Sequence, residues 1–285
     1  MNTCVRRAYA KINLGLDVLG RRPDGYHELR TVMQTVDIWD ELTLTKTDAG
    51  IAITTDAGEL PTDGDNLIHK AIKLMQEEYG FDGGVRVHLR KNIPIAAGMA
   101  GGSTDAAATL KGVNELYELG VSEKRLMELG VRIGADVPYC VAGGTVLAEG
   151  IGERLTRLPA APECVLVVAK PVYNISTKEI YEKLDARTDY PHPDMDGLLA
   201  AIREGSLSGM AARLGNVLEA VTIEQCPMVS RIRETILAGG ALGCLMSGSG
   251  PSVFGIFADR EKAEETARAL RKLPDLTQIF VTKFL

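Results

Sequence analysis

Hydrophobic and polar residues alternate with two different periods along the first half of this chain. Stretches with a period of two predict strands over residues 7–19, 29–36, 41–46, 51–55, 85–89, 144–149 and 154–158. Stretches with helical spacing predict helices over residues 66–79, from 105 to 114 and over 122–134, the last of which ends before Pro138. The first half is therefore predicted to mix strands and helices.

The second half shows the same two periods in a more regular order. Strands are predicted over residues 164–169, 242–246, 252–257 and 278–284, and helices over 177–184, 195–204, 207–221, 228–238 and 260–273. Without the additional helices the order is β-α-β-β-α-β, a ferredoxin-like split βαβ arrangement. Pro159-Ala-Ala-Pro162 marks a boundary, so we predict an α+β fold with domains over residues 1–159 and 160–285.

A glycine-rich loop, Pro94–Thr104, lies between a predicted strand and a predicted helix. Glycines at 98, 101 and 102 allow tight turns and a close approach of the backbone to a ligand. The first N–H groups of the following helix have no intrahelical partner and favour an anion such as phosphate. Ser103 or Thr104 is expected to cap this helix. The alternative is a structural turn with a good cap.

The loop differs from two well-known phosphate-binding motifs. It has no G-K-[ST] ending, because the nearest downstream lysine is Lys111. It also lacks G-x-G-x-x-G followed by an acidic ribose ligand. A second small-residue loop, Met246–Ser252, lies between two predicted strands. It is either a plain hairpin or a second loop suited to phosphate.

Composition and charge narrow the classes of function. The 285 residues are 45% hydrophobic and 25% charged, as is usual for a globular protein. A net charge of −6 argues against a nucleic-acid-coating role. The five cysteines are scattered and lack C-x-x-C spacing, which indicates reduced thiols in the cytoplasm. No apolar run approaches the roughly 20 residues needed to cross a bilayer, and we predict neither membrane association nor a signal peptide.

Three motifs occur in an order that resembles a known kinase superfamily. They are Ala10–Leu14, Pro94–Ala107 and Leu245–Ser252, and the superfamily is that of galactokinase, homoserine kinase, mevalonate kinase and phosphomevalonate kinase. Within it, Arg22–His27 and Gly134–Pro138 are similar to the 4-diphosphocytidyl-2-C-methyl-D-erythritol kinases. The resemblance covers essentially the whole chain. It implies a ribosomal-S5-like N-terminal unit and a ferredoxin-like C-terminal unit.

This resemblance implies ATP-dependent phosphorylation of the 2-hydroxyl of a cytidyl-linked methylerythritol, in non-mevalonate isoprenoid precursor synthesis. Asp136 matches the family's general base, and Lys11 matches its catalytic lysine. A carboxylate suits proton removal, and a lysine suits both holding that carboxylate ionised and neutralising phosphate oxygens. The alternatives are a cap or turn aspartate and a strand lysine that faces water.

The family's substrate contacts fall on residues from both halves. Asn13, on the same strand face as Lys11, is suited to substrate hydroxyls or to the base. Tyr26 and His27 match the cytosine site, with Tyr181 stacking on its opposite side and Thr177 as a further contact. The alternative for Asn13 is a polar residue at a sheet edge whose hydrogen bonds are all made. The alternatives for the others are surface packing of the Tyr26-His27 pair and core packing of a short helix by Tyr181.

The resemblance also implies an ATP site. The loop residues expected to hold the phosphates are Pro94, Ile95, Ala96, Ala97, Gly98, Met99, Ala100, Gly101, Gly102, Ser103 and Thr104. Asn66, Leu67 and Lys91 are expected near the adenine, and their alternatives are a helix cap, a core leucine and a solvated lysine. ATP arrives with Mg²⁺, but no acidic residue is identified as its ligand, and Ser103 is expected to supply one oxygen.

Ala96-Ala97 departs from relatives with more glycine, and alanine fits such a loop if its φ stays negative. Two other functions remain open. One is another kinase of the superfamily, against which the Tyr26-His27 pair argues. The other is a non-catalytic RNA-binding module, against which the charge and the Lys11/Asp136 pair argue. The partner is predicted to be a small molecule, and the chain a monomer or weak homodimer.

Overall fold

The fold begins with two long strands joined by a turn. In the computed structural model, which describes residues 2–58, 60–187 and 189–285, β1 spans Thr3–Arg21 and β2 spans His27–Thr47. The alternation that predicted two separate strands within β2 continues through residues 37–40, where Ile38 and Asp40 are buried. The predicted break between residues 36 and 41 is therefore wrong, because a buried aspartate interrupts the hydrophobic pattern but not the strand.

Nine strands and ten helices follow among the described residues. The strands are β3 (Ile51–Thr55), β4 (Gly84–Arg90), β5 (Thr145–Gly150), β6 (Arg154–Arg157), β7 (Val165–Pro171), β8 (Gly215–Asn216), β9 (Gly243–Met246), β10 (Val253–Phe257) and β11 (Leu276–Thr282). The helices are α1 (Leu67–Tyr79), α2 (Gly101–Leu116), α3 (Glu123–Val131), α4 (Val137–Ala142), α5 (Thr177–Asp185), α6 (Met195–Arg203), α7 (Leu207–Ala211), α8 (Glu219–Gln225), α9 (Met228–Ala238) and α10 (Arg260–Leu270).

The chain folds into two compact units, and each unit is assembled from three segments. The first unit comprises Met1–Ala10, Ile38–Ile93 and Ala100–Gly143, and the second comprises Lys11–Asp37, Pro94–Met99 and Gly144–Leu285. Both β1 and β2 contribute residues to each unit, and so does the glycine-rich loop. The division by compactness therefore differs from a single cut after residue 159, and that domain boundary stays a prediction.

The first unit packs helices on a sheet. β4 pairs antiparallel with the second half of β2 and parallel with β3. The core beneath α1 and α2 includes fully buried Leu44, Ile72 and Leu110, each of which contributes about 1.5–3 kcal/mol when buried. The Asn66 side chain caps α1, because it accepts a hydrogen bond from the Ile68 N–H at 2.8 Å, and this confirms the helix-cap interpretation of that residue.

The second unit contains the predicted split βαβ arrangement. β11, β7, β10 and β9 form an antiparallel sheet in that spatial order, which is the order of a ferredoxin-like layer. The first half of β2 pairs with β5, and β1 pairs in parallel with β8. The core of this unit includes Val167, Ile232 and Phe257, so the apolar strand positions that the sequence identified are buried.

One predicted helix is wrong, and one observed helix lies outside the predicted ones. The helix predicted over residues 207–221 is wrong, because the short strand β8 separates α7 from α8. β8 carries Gly215 and Asn216, and glycine weakens a helix interior. After α3, a new helix α4 begins at Val137 with Pro138 in its first turn. Proline is tolerated there because the N–H that it lacks would have no acceptor within the helix.

Candidate active site

Lys11 lies at the start of a buried chain of hydrogen bonds in the second unit. Its Nζ donates to Asn13 Oδ1 at 2.8 Å, Asn13 Nδ2 donates to Thr31 Oγ1 at 2.8 Å, and Thr31 Oγ1 donates to the Gly15 carbonyl at 2.6 Å. Lys11 is 5% exposed and Asn13 is 2% exposed, so the alternative of a strand lysine that faces water is wrong. The chain orients the amide, because a lysine can only donate to its oxygen.

The first part of the glycine-rich loop runs beside Lys11. The Lys11 backbone N–H donates to the Met99 carbonyl at 3.2 Å. Ile95 and Ala96 are exposed, whereas Pro94, Ala97 and Met99 are buried. Ala96 has φ 50°, so the expectation of negative φ fails there, and a left-handed alanine costs about 1–2 kcal/mol. Such cost is typical of loops whose backbone is held for function.

The two small-residue loops meet within the second unit. Ser247 Oγ donates to the Gly98 carbonyl at 2.9 Å. A Cβ on Gly98 would lie 2.1 Å from the Ser247 carbonyl oxygen and 3.1 Å from the Gly250 nitrogen, and Gly98 has φ +71°. Glycine is therefore required both by backbone conformation and by space. The second loop is not a plain hairpin, because it packs on the first.

Asn216 holds the second loop and was not identified from the sequence. Its Nδ2 donates to the carbonyls of Met246 at 2.9 Å and Gly248 at 2.7 Å. Its Oδ1 accepts the Leu218 N–H at 3.0 Å, so both ends of the amide are used. The Gly-Asn pair inside a predicted helix is a breaker signal that points to this position.

We predict that Gly98→Ala separates the two loops. The substitution adds a left-handed alanine, at about 1–2 kcal/mol, and a clash with Ser247 that costs about a further 1–3 kcal/mol. Gly120→Ala is the matched control, because Gly120 has φ +68° and nothing within 4 Å of an added Cβ. Chemical denaturation should show the larger loss of stability for Gly98→Ala. Equal losses in the two variants would contradict the contact.

The second part of the loop begins α2 in the first unit. α2 starts at Gly101 with Ala100 as its N-cap, and this cap makes no side-chain hydrogen bond among the described residues. The predicted cap at Ser103 or Thr104 is therefore wrong. Thr104 lies within the helix, where its Oγ1 donates to the Tyr9 carbonyl at 2.6 Å. The N–H groups of Gly101, Gly102 and Ser103 lack intrahelical acceptors, which suits them to an anion.

Lys91 is buried between two carboxylates in the first unit. Its side chain is 6% exposed, forms an ion pair with Asp40 and lies 3.0 Å from Asp105 Oδ2. The alternative of a solvated lysine is therefore wrong, and the contact of Lys91 with adenine stays a prediction. Burial lowers the pKa of Lys91, but the charges of Asp105 and Asp40 outweigh it and raise the pKa. Burial raises the pKa of Asp105 well above its usual range, although Lys91 opposes this.

This ion cluster also fixes the chain that enters the loop. Asp40 Oδ1 accepts the N–H groups of Asn92 at 2.6 Å and Ile93 at 2.8 Å. The Lys91 N–H donates to Asp56 Oδ1 at 2.8 Å. Residues 91–93 are therefore tied to β2 directly before Pro94. The sequence analysis did not identify Asp40 or Asp105 as partners of Lys91, because both residues are remote from it along the chain.

We predict that Lys91→Met destabilises the first unit. Removing the cation leaves two buried carboxylates together, which costs about 3–5 kcal/mol. Because the folded pKa of Asp105 is raised, its protonated form favours the fold, and this contribution is lost as pH rises through that pKa. Unfolding free energies should therefore show a smaller loss at pH 5 than at pH 8. Lys73→Met, at a side chain 64% exposed, should change stability little, and a similar loss there would contradict the cluster's role.

The remaining predicted adenine residues have structural roles in the first unit. Asn66 caps α1 and its Nδ2 donates to the Pro61 carbonyl at 2.7 Å. Leu67 begins α1 and packs against the hydrophobic core. The structure thus shows a helix cap and a partly buried core leucine, and their contact with adenine stays a prediction.

Asp136 precedes α4 in the first unit. It is partly buried and occupies the N-cap position with φ −82°, but its side chain makes no capping hydrogen bond to the described residues of that helix. A cap role therefore does not account for this carboxylate. Its role as general base stays a prediction.

The predicted base-binding residues are grouped in the second unit. Tyr26 is 58% exposed, and the rings of His27 and Tyr181 have centroids 4.6 Å apart. No base fits between those two rings, since a stacked pair alone has a centroid separation of about 4.5–7 Å. Thr177 begins α5, and its Oγ1 lies 2.8 Å from Ser249 Oγ in the second loop. Residues that the sequence analysis selected from remote segments are therefore neighbours: His27 contacts Tyr181, and Thr177 contacts the second loop.

Among the described residues, no group of three or more His, Cys, Asp or Glu side chains is arranged to hold a metal ion. Within the same ranges, no helix has the length and apolar character needed to cross a membrane.

Two family models match parts of this chain. Residues 66–144 match the family model of the GHMP kinases N terminal domain, and residues 194–275 match that of the GHMP kinases C terminal. The chain is 51% identical to a 4-diphosphocytidyl-2-C-methyl-D-erythritol kinase of Lachnospira eligens, over 97% of this chain and 96% of that protein. It is 48% identical to the kinase of the same name from Caldicellulosiruptor bescii, over 93% of each.

Solved structures give the same result. A crystal structure of 4-(cytidine 5'-diphospho)-2C-methyl-D-erythritol kinase superposes with a TM-score of 0.83 at 34% identity, covering 99% of both chains. Homoserine kinase from Cytophaga hutchinsonii shares the fold, with a TM-score of 0.81 at 22% identity over 99% of this chain and 95% of that one. The chain is therefore an ATP-dependent small-molecule kinase of the GHMP superfamily and belongs to its 4-diphosphocytidyl-2-C-methyl-D-erythritol kinase family.

Proposed function

We propose that this chain transfers the γ-phosphoryl group of ATP to the 2-hydroxyl of 4-diphosphocytidyl-2-C-methyl-D-erythritol. The products are ADP and the 2-phosphate of the substrate, in non-mevalonate synthesis of isopentenyl diphosphate. The observation that carries the proposal is the junction of the two small-residue loops at Gly98 and Ser247, next to buried Lys11. The names of the relatives support the choice of substrate.

The reaction needs a base, a nucleophile and charge stabilisation. Asp136 takes the proton of the 2-hydroxyl as its oxygen attacks the γ-phosphorus, and the bond from that phosphorus to the β-bridging oxygen breaks. ADP leaves with the electron pair of that bond. Lys11 neutralises charge on the moving phosphoryl group, and its hydrogen bond to Asn13 holds the ammonium in place.

The glycine-rich loop, residues 94–104, binds the ATP phosphates through backbone N–H groups. Mg²⁺ that arrives with ATP would supply further neutralisation of phosphate charge, and Ser103 Oγ, phosphate oxygens and water would hold it. This ligand set fits the described residues, because Ser103 lies in the first turn of α2. Adenine binds near Asn66, Leu67 and Lys91.

The cytidyl end of the substrate binds in the second unit. The base stacks on Tyr26 and is read by His27, with Tyr181 enclosing it and Thr177 contacting the substrate. Asn13 contacts a substrate hydroxyl through the one lone pair of Oδ1 that its bond to Lys11 leaves. We further propose that the chain acts in the cytoplasm as a monomer or weak homodimer, with domains over residues 1–159 and 160–285.

The experiment that tests this function compares substrates. We expect kcat/KM for the cytidyl substrate to exceed that for mevalonate, homoserine or galactose by about 10⁴ or more. The reason is that the protein's polar groups that bind the base have no hydrogen-bond partner when the acceptor carries no base. The measurement is ADP release with each acceptor at equal concentration. A preference for mevalonate or homoserine would contradict the assignment.

A further inference from the structure

His27 is held in the second unit by a carboxylate and by an aromatic ring. Its Nε2 lies 2.7 Å from Asp185 Oδ1 at the end of α5. One face of the imidazole lies against Tyr181, with ring planes inclined by 31°. The His27 side chain is 11% exposed. Two contacts from one helix thus fix the orientation of this ring.

The carboxylate also fixes where the imidazole carries its proton. An ionised carboxylate can only accept, so a neutral His27 must place its single N–H on Nε2. The other ring nitrogen, Nδ1, is then an acceptor. A carboxylate that selects one histidine tautomer in this way also orients histidines that bind metals.

Helix stability does not explain the carboxylate at this position. Asp185 is the last residue of α5, and a negative charge at a helix C-terminus opposes the helix dipole. Arg21 Nη1 lies 3.6 Å from the second oxygen, Oδ2. The carboxylate therefore lies beside His27 at some cost to the helix.

We propose that Asp185 is a positioning residue that sets base selectivity by holding His27 Nδ1 as a hydrogen-bond acceptor. An acceptor at this place favours a base edge that presents an amino group, as cytosine does, over one that presents a carbonyl, as uracil does. This inference rests on the proposed function, because it assigns the base edge to His27.

The first test measures affinity in the absence of ATP, so it does not depend on phosphoryl transfer. Dissociation constants are determined for the cytidyl substrate and its uridyl analogue with the wild type, Asp185→Leu and Asp185→Asn. We expect the cytidyl preference to fall at least about tenfold in Asp185→Leu, which is the scale of one lost base-edge hydrogen bond. Asp185→Asn should be intermediate, since its amide keeps one acceptor oxygen. An unchanged preference in Asp185→Leu would overturn the proposal.

Glu182→Gln is the matched control on the same helix, with a side chain 62% exposed, and it should keep the preference. In turnover assays, kcat/KM of Asp185→Leu for the cytidyl substrate should decrease mainly because KM rises, with little change in kcat. A merely structural role would instead lower the melting temperature and affect both nucleotides equally.

The second test observes the tautomer directly. The chain has four histidines, so ¹⁵N NMR of the imidazoles, assigned with His27→Gln, resolves His27. We expect the Nε2–H form in the wild type and a mixture in Asp185→Leu. A wild-type Nδ1–H form would overturn the proposal even if the kinase reaction is confirmed. Absence of kinase activity, with the Nε2–H form and cytidyl preference intact, would overturn only the proposed function.

Discussion

Asp136→Asn is expected to retain both ligands and to lower kcat by about 10²–10⁴-fold, the range of general-base catalysis. The amide has nearly the shape of the carboxylate but cannot take the proton of the attacking hydroxyl. Asp136 makes no capping bond to the described residues of α4, so loss of a helix cap does not account for a fall in kcat. Steady-state turnover and the dissociation constants of ATP and the cytidyl substrate test both parts.

Asp259→Asn is the matched control for this substitution. Asp259 caps α10 through bonds from the N–H groups of Glu261 at 2.7 Å and Lys262 at 3.2 Å. Asparagine caps a helix as well as aspartate does, so Asp259→Asn should leave kcat and stability nearly unchanged. If Asp136→Asn also leaves kcat nearly unchanged, Asp136 is not the general base.

Lys11→Met is expected to lower kcat by about 10²–10³-fold, comparable with the loss of one donor that stabilises the transition state. Methionine fills the space of the buried side chain, and Asn13 keeps its bond to Thr31, so the strand should stay folded. The cytidyl substrate and ATP should still bind. Single-turnover kinetics with saturating ATP separate the chemical step from binding.

Lys170→Met is the control for removing a buried lysine from the second unit. Lys170 Nζ donates to the carbonyls of Pro171 and Tyr173, each at 2.7 Å, and burial lowers its pKa. This variant should lose stability because carbonyl oxygens are left without a donor, yet its kcat should fall far less than that of Lys11→Met. Similar losses of kcat would contradict a specific role for Lys11.

The parts of the fold that depend on local pattern were predictable from the sequence. The β-α-β-β-α-β order is confirmed by the β11-β7-β10-β9 sheet, because alternating apolar residues indicate each buried strand. The helix-cap interpretation of Asn66 is confirmed as well, since a cap requires only residues two or three positions away. Lys11 and Asn13 share one face because strand geometry fixes that relation.

The parts that depend on remote partners were not predictable in this way. Asp40 and Asp105 meet Lys91 from positions 51 and 14 residues away, and neither spacing carries a signal. Asp185 reaches His27 across 158 residues. Asn216 interrupts a helical pattern because its amide bonds the loop near Gly248. In each case a long-range polar contact decides the local structure or the charge of the site.

The central claim is that this chain phosphorylates the 2-hydroxyl of 4-diphosphocytidyl-2-C-methyl-D-erythritol with ATP. The most direct measurement is ³¹P and ¹³C NMR of the product formed by the purified chain from Mg-ATP and that substrate. The account predicts a new phosphomonoester signal coupled to C2 of the methylerythritol, formed in equal amount with ADP. Phosphorylation at another hydroxyl, or ATP hydrolysis with the substrate unchanged, would contradict it.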